Sequence, residues 1–209
     1  MKGGNSVLEI GSGSLGLGEF YGRSFVGCDT SFAEHPRAPM LPVLASGLHL
    51  PFADSSFDLV IASDVLEHVP PASRPAFILE SLRVTRKAAI LGFPCGPLAF
   101  GVDRQLFARY QRLRQNPPEW LKEHVLHPFP DESLFRGLPH RWLVRSLGNE
   151  NLGFHSWMMR REMTCIWNRV FCALLALAPA FVEWVLIHTD REPFYRRIFV
   201  VDGDEDRVS

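Results

Sequence analysis

The first residues able to do chemistry form a strand-like run that breaks into glycines, Glu9-Ile10-Gly11-Ser12-Gly13-Ser14-Leu15-Gly16. Glycine has no Cβ, so such a turn lets a ligand approach the backbone and aims free N–H groups at it. A polar or anionic group is expected to bind there. Glu9 stands two positions before the first glycine, and Asp29 closes the next apolar run, residues 25–28. Asp29 suits any cofactor that carries a ribose, because a carboxylate accepts hydrogen bonds from the sugar diol. The glycine spacing by itself also fits a nicotinamide dinucleotide. Glu9 discriminates between ligands: a carboxylate facing the site suits an ammonium or sulfonium and repels a pyrophosphate.

A longer segment is more specific. Leu50-Pro51-Phe52-Ala53-Asp54-Ser55-Ser56-Phe57-Asp58-Leu59-Val60 runs on through Ile61-Ala62-Ser63-Asp64-Val65-Leu66-Glu67-His68-Val69. It closely resembles the Leu-Pro-Phe, Phe-Asp-Leu-Val and Leu-Glu-His segment of the class I S-adenosylmethionine-dependent methyltransferases. The likeness is greatest to the small-molecule group that includes the ubiquinone and menaquinone enzymes, and it covers about residues 7–92.

That resemblance implies S-adenosyl-L-methionine as cofactor and direct in-line transfer of its methyl group. The loop of Gly11, Ser12, Gly13 and Gly16, with Glu9 before it, would hold the methionine portion, and Asp29 the ribose hydroxyls. Ser63 and Asp64 would lie beside the methionine amino group and the sulfonium, with Ser46 and Leu48 toward the adenine. The family usually carries an acid before its Leu-Pro-Phe, and this chain has Ser46 in Ala45-Ser46-Gly47. A serine oxygen accepts a hydrogen bond from adenine more weakly than a carboxylate does. The sequence starts almost at its first strand, so cover for the site is expected from an insertion or a partner subunit.

The elements that must position these residues alternate. Apolar runs at 6–10, 25–28, 41–44, 57–61 and 88–93 are separated by helical or loop material, and residues 75–86 carry a helical apolar face. Strands joined this way need crossovers. The expected fold is α/β, a Rossmann-like doubly wound, mostly parallel seven-stranded sheet with helices on both faces and an insertion after the fifth strand. One domain is expected: residues 1–93 bind the cofactor, 94–141 form the insertion on the acceptor side, and 142–209 supply the last strands and an apolar helix. In the insertion, 103–114 and 131–138 read as short helices. Residues 142–147, 153–159 and 196–201 read as strands, and 165–187 as one long apolar helix.

Composition bounds the partners. With 22 Lys+Arg against 23 Asp+Glu the net charge is −1, which gives no global field to attract nucleic acid. Arg104, Arg109, Arg112 and Arg114 read as a solvated helix face. Cys28, Cys95, Cys165 and Cys172 form no C-x-x-C pair, so neither a metal site nor a disulfide framework is expected. The N-terminus shows no secretory apolar core, and a cytoplasmic location is expected. Residues 165–187 include Asn168, Arg169, Pro179 and Glu183, which suits burial or contact with a membrane surface better than a span. Only the tail, 202–209, is polar enough to stay unfolded.

Methyl transfer from a sulfonium needs alignment more than a base. A hydroxyl acceptor would use one, and His124 and His127 in the insertion are the candidates. The expected acceptor is a small molecule, a lipid-linked intermediate or a glycan. An NAD-dependent oxidoreductase and a non-catalytic S-adenosylmethionine-binding partner subunit are the alternatives.

Overall fold

The computed structural model describes residues 6–162 and 165–203, and the end of the polar tail lies outside them. The first half alternates as expected: β1 (Val7–Ile10), α1 (Gly18–Tyr21), β2 (Phe25–Asp29), β3 (Met40–Leu44), β4 (Phe57–Ser63), α2 (Arg74–Val84) and β5 (Thr85–Pro94). Then come α3 (Gly96–Arg112), α4 (Glu119–His124), β6 (Trp142–Asn151), α5 (Leu152–Glu162), α6 (Cys165–Leu177), α7 (Pro179–Thr189) and β7 (Phe194–Gly203). Single 3-10 turns occur at Pro71–Ser73 and Glu132–Phe135.

One seven-stranded sheet runs in the order β3-β2-β1-β4-β5-β7-β6. The first five strands are parallel through the pairs β1–β2, β1–β4, β2–β3 and β4–β5. Its centre is dry, because Leu8, Val60, Ala89 and Leu91 are fully buried and read as continuous apolar runs. α2 packs Phe77, Ile78 and Leu82 inward at helical spacing. β3 is the edge, which is where Pro42 can sit without costing the ladder a donor, and Leu41 and Leu44 beside it are exposed. The chain crosses from β2 to β3 and from β3 to β4 without a helix. From β1 it winds outward to β3 and then returns to place β4 on the other side of β1. That reversal opens a crevice outside the strands' carboxyl ends.

The chain divides into two compact units. The first holds Met1–Phe93, Glu132–Ser146 and Ile198–Ser209, and the second Pro94–Asp131 and Leu147–Arg197. The division falls where the insertion was expected to begin, yet the later part of 94–141 stays with the sheet. There Phe135 stacks on Phe199 with ring centres 4.4 Å apart, and Phe199 on Phe93 at 5.0 Å. Two readings of the C-terminal half are corrected. Residues 153–159 lie in the helix α5, because α3 offers it a packing partner and tertiary burial overrides β propensity. The stretch 165–187 is two helices, since Pro179 lacks the N–H that would continue α6. No helix among the described residues is long and apolar enough to cross a membrane.

A charged clasp ties the start of the sheet together. Asp58 accepts hydrogen bonds from the Ser6 N–H at 2.9 Å and from Arg86 Nε at 3.0 Å, with the Lys87 ammonium 3.1 Å away. These donors, Arg86 foremost, hold its carboxyl well below its ordinary value of 3.8. A depressed acid stabilises the fold above its unfolded pKa and loses that contribution as pH falls through the folded value. Asp58→Asn is therefore expected to lower the melting temperature at pH 7. The gap to the parent should shrink steadily below about pH 4, measured by thermal unfolding across that range.

Candidate functional site

Two carboxylates suspend the glycine loop. From β1, Glu9 Oε2 accepts the Leu17 N–H at 2.8 Å, and from the end of β2, Asp29 Oδ2 accepts the Gly13 N–H at 2.8 Å. The backbone carbonyl of Cys28 takes the N–H groups of Gly11 and Ser12 at 2.7 and 3.3 Å. Ser12 is buried and turns its hydroxyl to the Gly13 carbonyl at 3.1 Å. The loop therefore differs from the expected ring of free donors: four of its N–H groups already have acceptors inside the protein. Bare backbone is its offer to a ligand. Gly11 has φ +77°, and a Cβ there would collide with Val65; Gly16 has φ +50°, and its Cβ would strike the Glu9 carboxylate. Glu9 thus faces the loop, and burial raises its pKa against the lowering effect of the Leu17 N–H.

Outside the carboxyl ends of β1 to β4 lies a cavity of about 240 Å³. Each strand lends it residues from its carboxyl end or the loop beyond: Gly11 after β1, Asp29 ending β2, Ser46 and Leu48 after β3, and His68 after β4. Ile10, Leu48 and Phe77 give it an apolar wall. Glu9, Ser12, Gly13, Gly16, Ser63 and Asp64 do not line it among the described residues. Ser63 and Asp64 are exposed at the end of β4, where Asp64 takes φ +56° and donates its N–H to Gly92 at 2.8 Å. Asp29 keeps a second oxygen, Oδ1, which accepts the Ser31 N–H at 3.2 Å. Beside it the Cys28 thiol is pushed up to about 11, by burial first and the neighbouring Asp29 charge second, and it donates to the Ala45 carbonyl.

The wall from β3 joins the expected Ser46 and Leu48 to residues that sequence reasoning passed over. Ser46 Oγ accepts the Leu48 N–H at 3.2 Å, closing a tight turn whose Gly47 has no room for a side chain against Phe77. The Leu-Pro-Phe stretch after it is held by α2. Arg83 donates to the carbonyls of Leu50 and Phe52 at 3.1 and 2.8 Å and to Asp54 at 2.7 Å, while Glu80 accepts the Leu50 N–H at 2.7 Å. Arg74 Nε similarly caps the Val69 carbonyl at 2.9 Å. Arginines at i and i+9 of a helix carry no motif, so only the packed loop reveals them.

The second unit holds its own polar cluster. Asp103 of α3 is fully buried, and its Oδ2 accepts His124 Nδ1–H and the Tyr195 hydroxyl, both at 2.8 Å. The Tyr195 ring stacks on His155, centres 3.4 Å apart, and His155 Nδ1 lies 2.9 Å from Glu150. Of the two histidines expected to act as bases, His124 has its ring fixed by the Asp103 carboxylate. His127 lies three residues beyond the end of α4 and is half-buried. Asp103 was read only as the first residue of the short helix 103–114; its burial depends on α4 and β7, which no local pattern announces.

Likeness to known proteins bears on the same residues. Residues 8–93 match the family model described as a methyltransferase domain. An uncharacterized methyltransferase of Mycobacterium sp. strain KMS is 31% identical over 150 residues, which is 66% of this chain and 59% of that protein. One from Mycobacterium marinum is 33% identical over 137 residues, 54% of this chain and 52% of its own length. The chain thus spans little more than half the length of these relatives. Among solved structures, magnesium protoporphyrin IX methyltransferase from Synechocystis PCC 6803 with bound SAH has TM-score 0.51 and 15% identity, covering 96% of this chain and 74% of its own. Phosphoethanolamine N-methyltransferase 2 of Haemonchus contortus, in complex with S-adenosyl-L-methionine, has TM-score 0.53 and 14% identity, covering 97% and 49%. At these identities the shared property is the fold.

The role of Glu9 is testable without any ligand. Glu9→Ala leaves the Leu17 N–H without an acceptor and is expected to cost about 1–3 kcal/mol in urea unfolding. Glu9→Gln keeps an acceptor oxygen and removes a charge that burial disfavours, so it should match or exceed the parent above pH 7. Equal losses from both variants would show that the charge, and not the hydrogen bond, holds the loop.

Proposed function

We propose that this chain, whose residues 8–93 match a methyltransferase domain, is a class I S-adenosylmethionine-dependent methyltransferase that binds S-adenosyl-L-methionine in the cavity of its first unit. The observation that carries this reading is the cavity's position at the reversal of strand order, with Gly11, Asp29 and Leu48 in its wall. The residues fit the cofactor. Asp29 has lone pairs left to accept ribose hydroxyls after it has taken the Gly13 N–H. The bare backbone at Gly11 suits close approach of the methionine portion, and Ile10, Leu48 and Phe77 suit the flat apolar adenine. Ser46 can meet an adenine edge through its hydroxyl, one lone pair of which the Leu48 N–H already uses.

The cofactor when bound supplies a methyl group already activated by its positive sulfur. The protein's share is then to orient, to exclude water and to leave the sulfonium uncompensated by a nucleophile of its own. A nicotinamide dinucleotide is a poorer fit, because a pyrophosphate needs free N–H donors and those of Gly11, Ser12 and Gly13 are engaged. The acceptor we propose is a small molecule, a lipid-linked intermediate or a glycan. For a hydroxyl acceptor His124, oriented by Asp103, is the base we favour over His127.

Two measurements test this. Asp29→Ala should weaken S-adenosylhomocysteine binding at least tenfold by calorimetric titration, a loss of about 1.4 kcal/mol or more. Tight binding of NAD by the parent chain, or unchanged affinity in the variant, would defeat the assignment. With an acceptor in hand, His124→Ala should lower turnover at least tenfold and leave S-adenosylhomocysteine affinity within about twofold. Full turnover in that variant would remove His124 from the chemistry.

A further inference from the structure

We propose that the second unit docks on an anionic lipid bilayer through the apolar stripe of α6 and α7 and the arginine-lined hollow beside it. On α6, Trp167, Val170, Leu174 and Leu177 succeed one another at intervals of three, four and three residues, the spacing of a single helix face. All four are exposed, Leu177 to 84%. On α7, Phe181, Trp184 and Ile187 are also exposed, each by more than half. At 3.6 residues per turn Arg169 falls outside the α6 stripe, about 80° from its edge at Leu177, whereas Glu183 stands about 40° from Ile187 at the border of the α7 face. Apolar surface of this extent marks an interaction site. An exposed apolar stripe of this kind lies in the plane of a bilayer interface, and neither helix is long and apolar enough to span one.

The charge of the occupant is read at the start of the stripe. Trp167 also walls a hollow of about 440 Å³ together with Trp157, Arg109, Arg160 and Arg161. The Arg161 guanidinium lies over the Trp157 and Trp167 rings, 4.8 and 4.5 Å from their centres. Arg160 donates to the Gln105 side chain at 3.3 Å, and neither it nor Arg109 has a carboxylate partner among the described residues. Three guanidinium groups in one hollow favour an anion, and guanidinium matches the geometry of phosphate. Tryptophan belongs at the boundary between headgroups and acyl chains. A cationic hollow meeting an apolar stripe at Trp167 therefore matches a phosphate headgroup layered over hydrocarbon. A second copy of this chain seated symmetrically would set like charges against each other. The docking reading is independent of methyl transfer.

Co-flotation of the full chain with vesicles tests it. Binding is expected to an equimolar mixture of phosphatidylcholine and phosphatidylglycerol, to fall at least tenfold on phosphatidylcholine alone, and to weaken as salt is raised. The double variant Arg109→Gln/Arg160→Gln and, separately, Leu177→Asp should each reduce binding at least tenfold. Both alter exposed side chains, and an unchanged melting temperature would establish that the fold is kept. Quenching of tryptophan fluorescence by lipids brominated on their acyl chains should accompany binding by the parent. No flotation with either lipid, or equal flotation with both, would overturn the proposal. So would a lipid-free dimer in light scattering that Leu177→Asp dissolves.

Discussion

The loop between Gly11 and Leu17 is held in place by a pair of carboxylates, and the first unit is organised around that suspension. Glu9 reaches from the middle of the sheet and Asp29 from the end of the neighbouring strand, and each takes one backbone N–H of the loop. Their spacing is fixed by the β1–β2 register, which sets Glu9 beside Gly27 and so leaves Asp29 two residues further on. A slip of one residue would put the two carboxylates on opposite faces of the sheet. The geometry of the loop therefore rests on a strand pairing. The glycines complete the arrangement by absence, since a side chain at Gly16 would displace the carboxylate that fixes the loop.

Polar groups tie the remaining walls to the same sheet. Arg83 gathers the carbonyls of Leu50 and Phe52 into one guanidinium, so the irregular segment after β3 gains a rigid backbone without becoming a helix. Buried backbone acceptors need partners, and a long side chain from α2 supplies them. In the second unit the same demand is met by a different route. Asp103 is wholly enclosed and is compensated by a histidine and a tyrosine. A buried acid seldom adds stability over an apolar residue of its size, and its value lies in fixing the geometry of what it binds.

Much of this was legible in the residues. The strands of the first half and the glycine turn after β1 could be read because each depends on neighbours within a few positions. The direction of Glu9 could not: its position was plain, but whether its carboxylate met a ligand or the Leu17 N–H depended on how the loop folds back. Residues 153–159 looked like a strand because Phe154, Trp157 and Met158 favour one, and only α3 decides otherwise. Asp103 and Arg83 were hidden for a related reason. Their partners lie 21 to 92 positions away for Asp103 and about 30 for the loop bound by Arg83, so no periodicity links them. The apolar stretch 165–187 was visible as composition, and the proline that divides it was visible too, but not that both halves leave a face uncovered.

The raised Cys28 thiol has a chemical consequence under the proposed function, in which the cavity takes an alkylating cofactor. S-Adenosylmethionine transfers its methyl group to sulfur nucleophiles readily, and the thiolate is the reactive form. A thiol at about 11 is ionised in roughly one molecule in ten thousand at pH 7. Burial beside Asp29 thus makes the sulfur inert. Burial contributes most and the Asp29 charge adds to it, so the carboxylate that anchors the loop also helps to keep a proton on a thiol in the cavity wall.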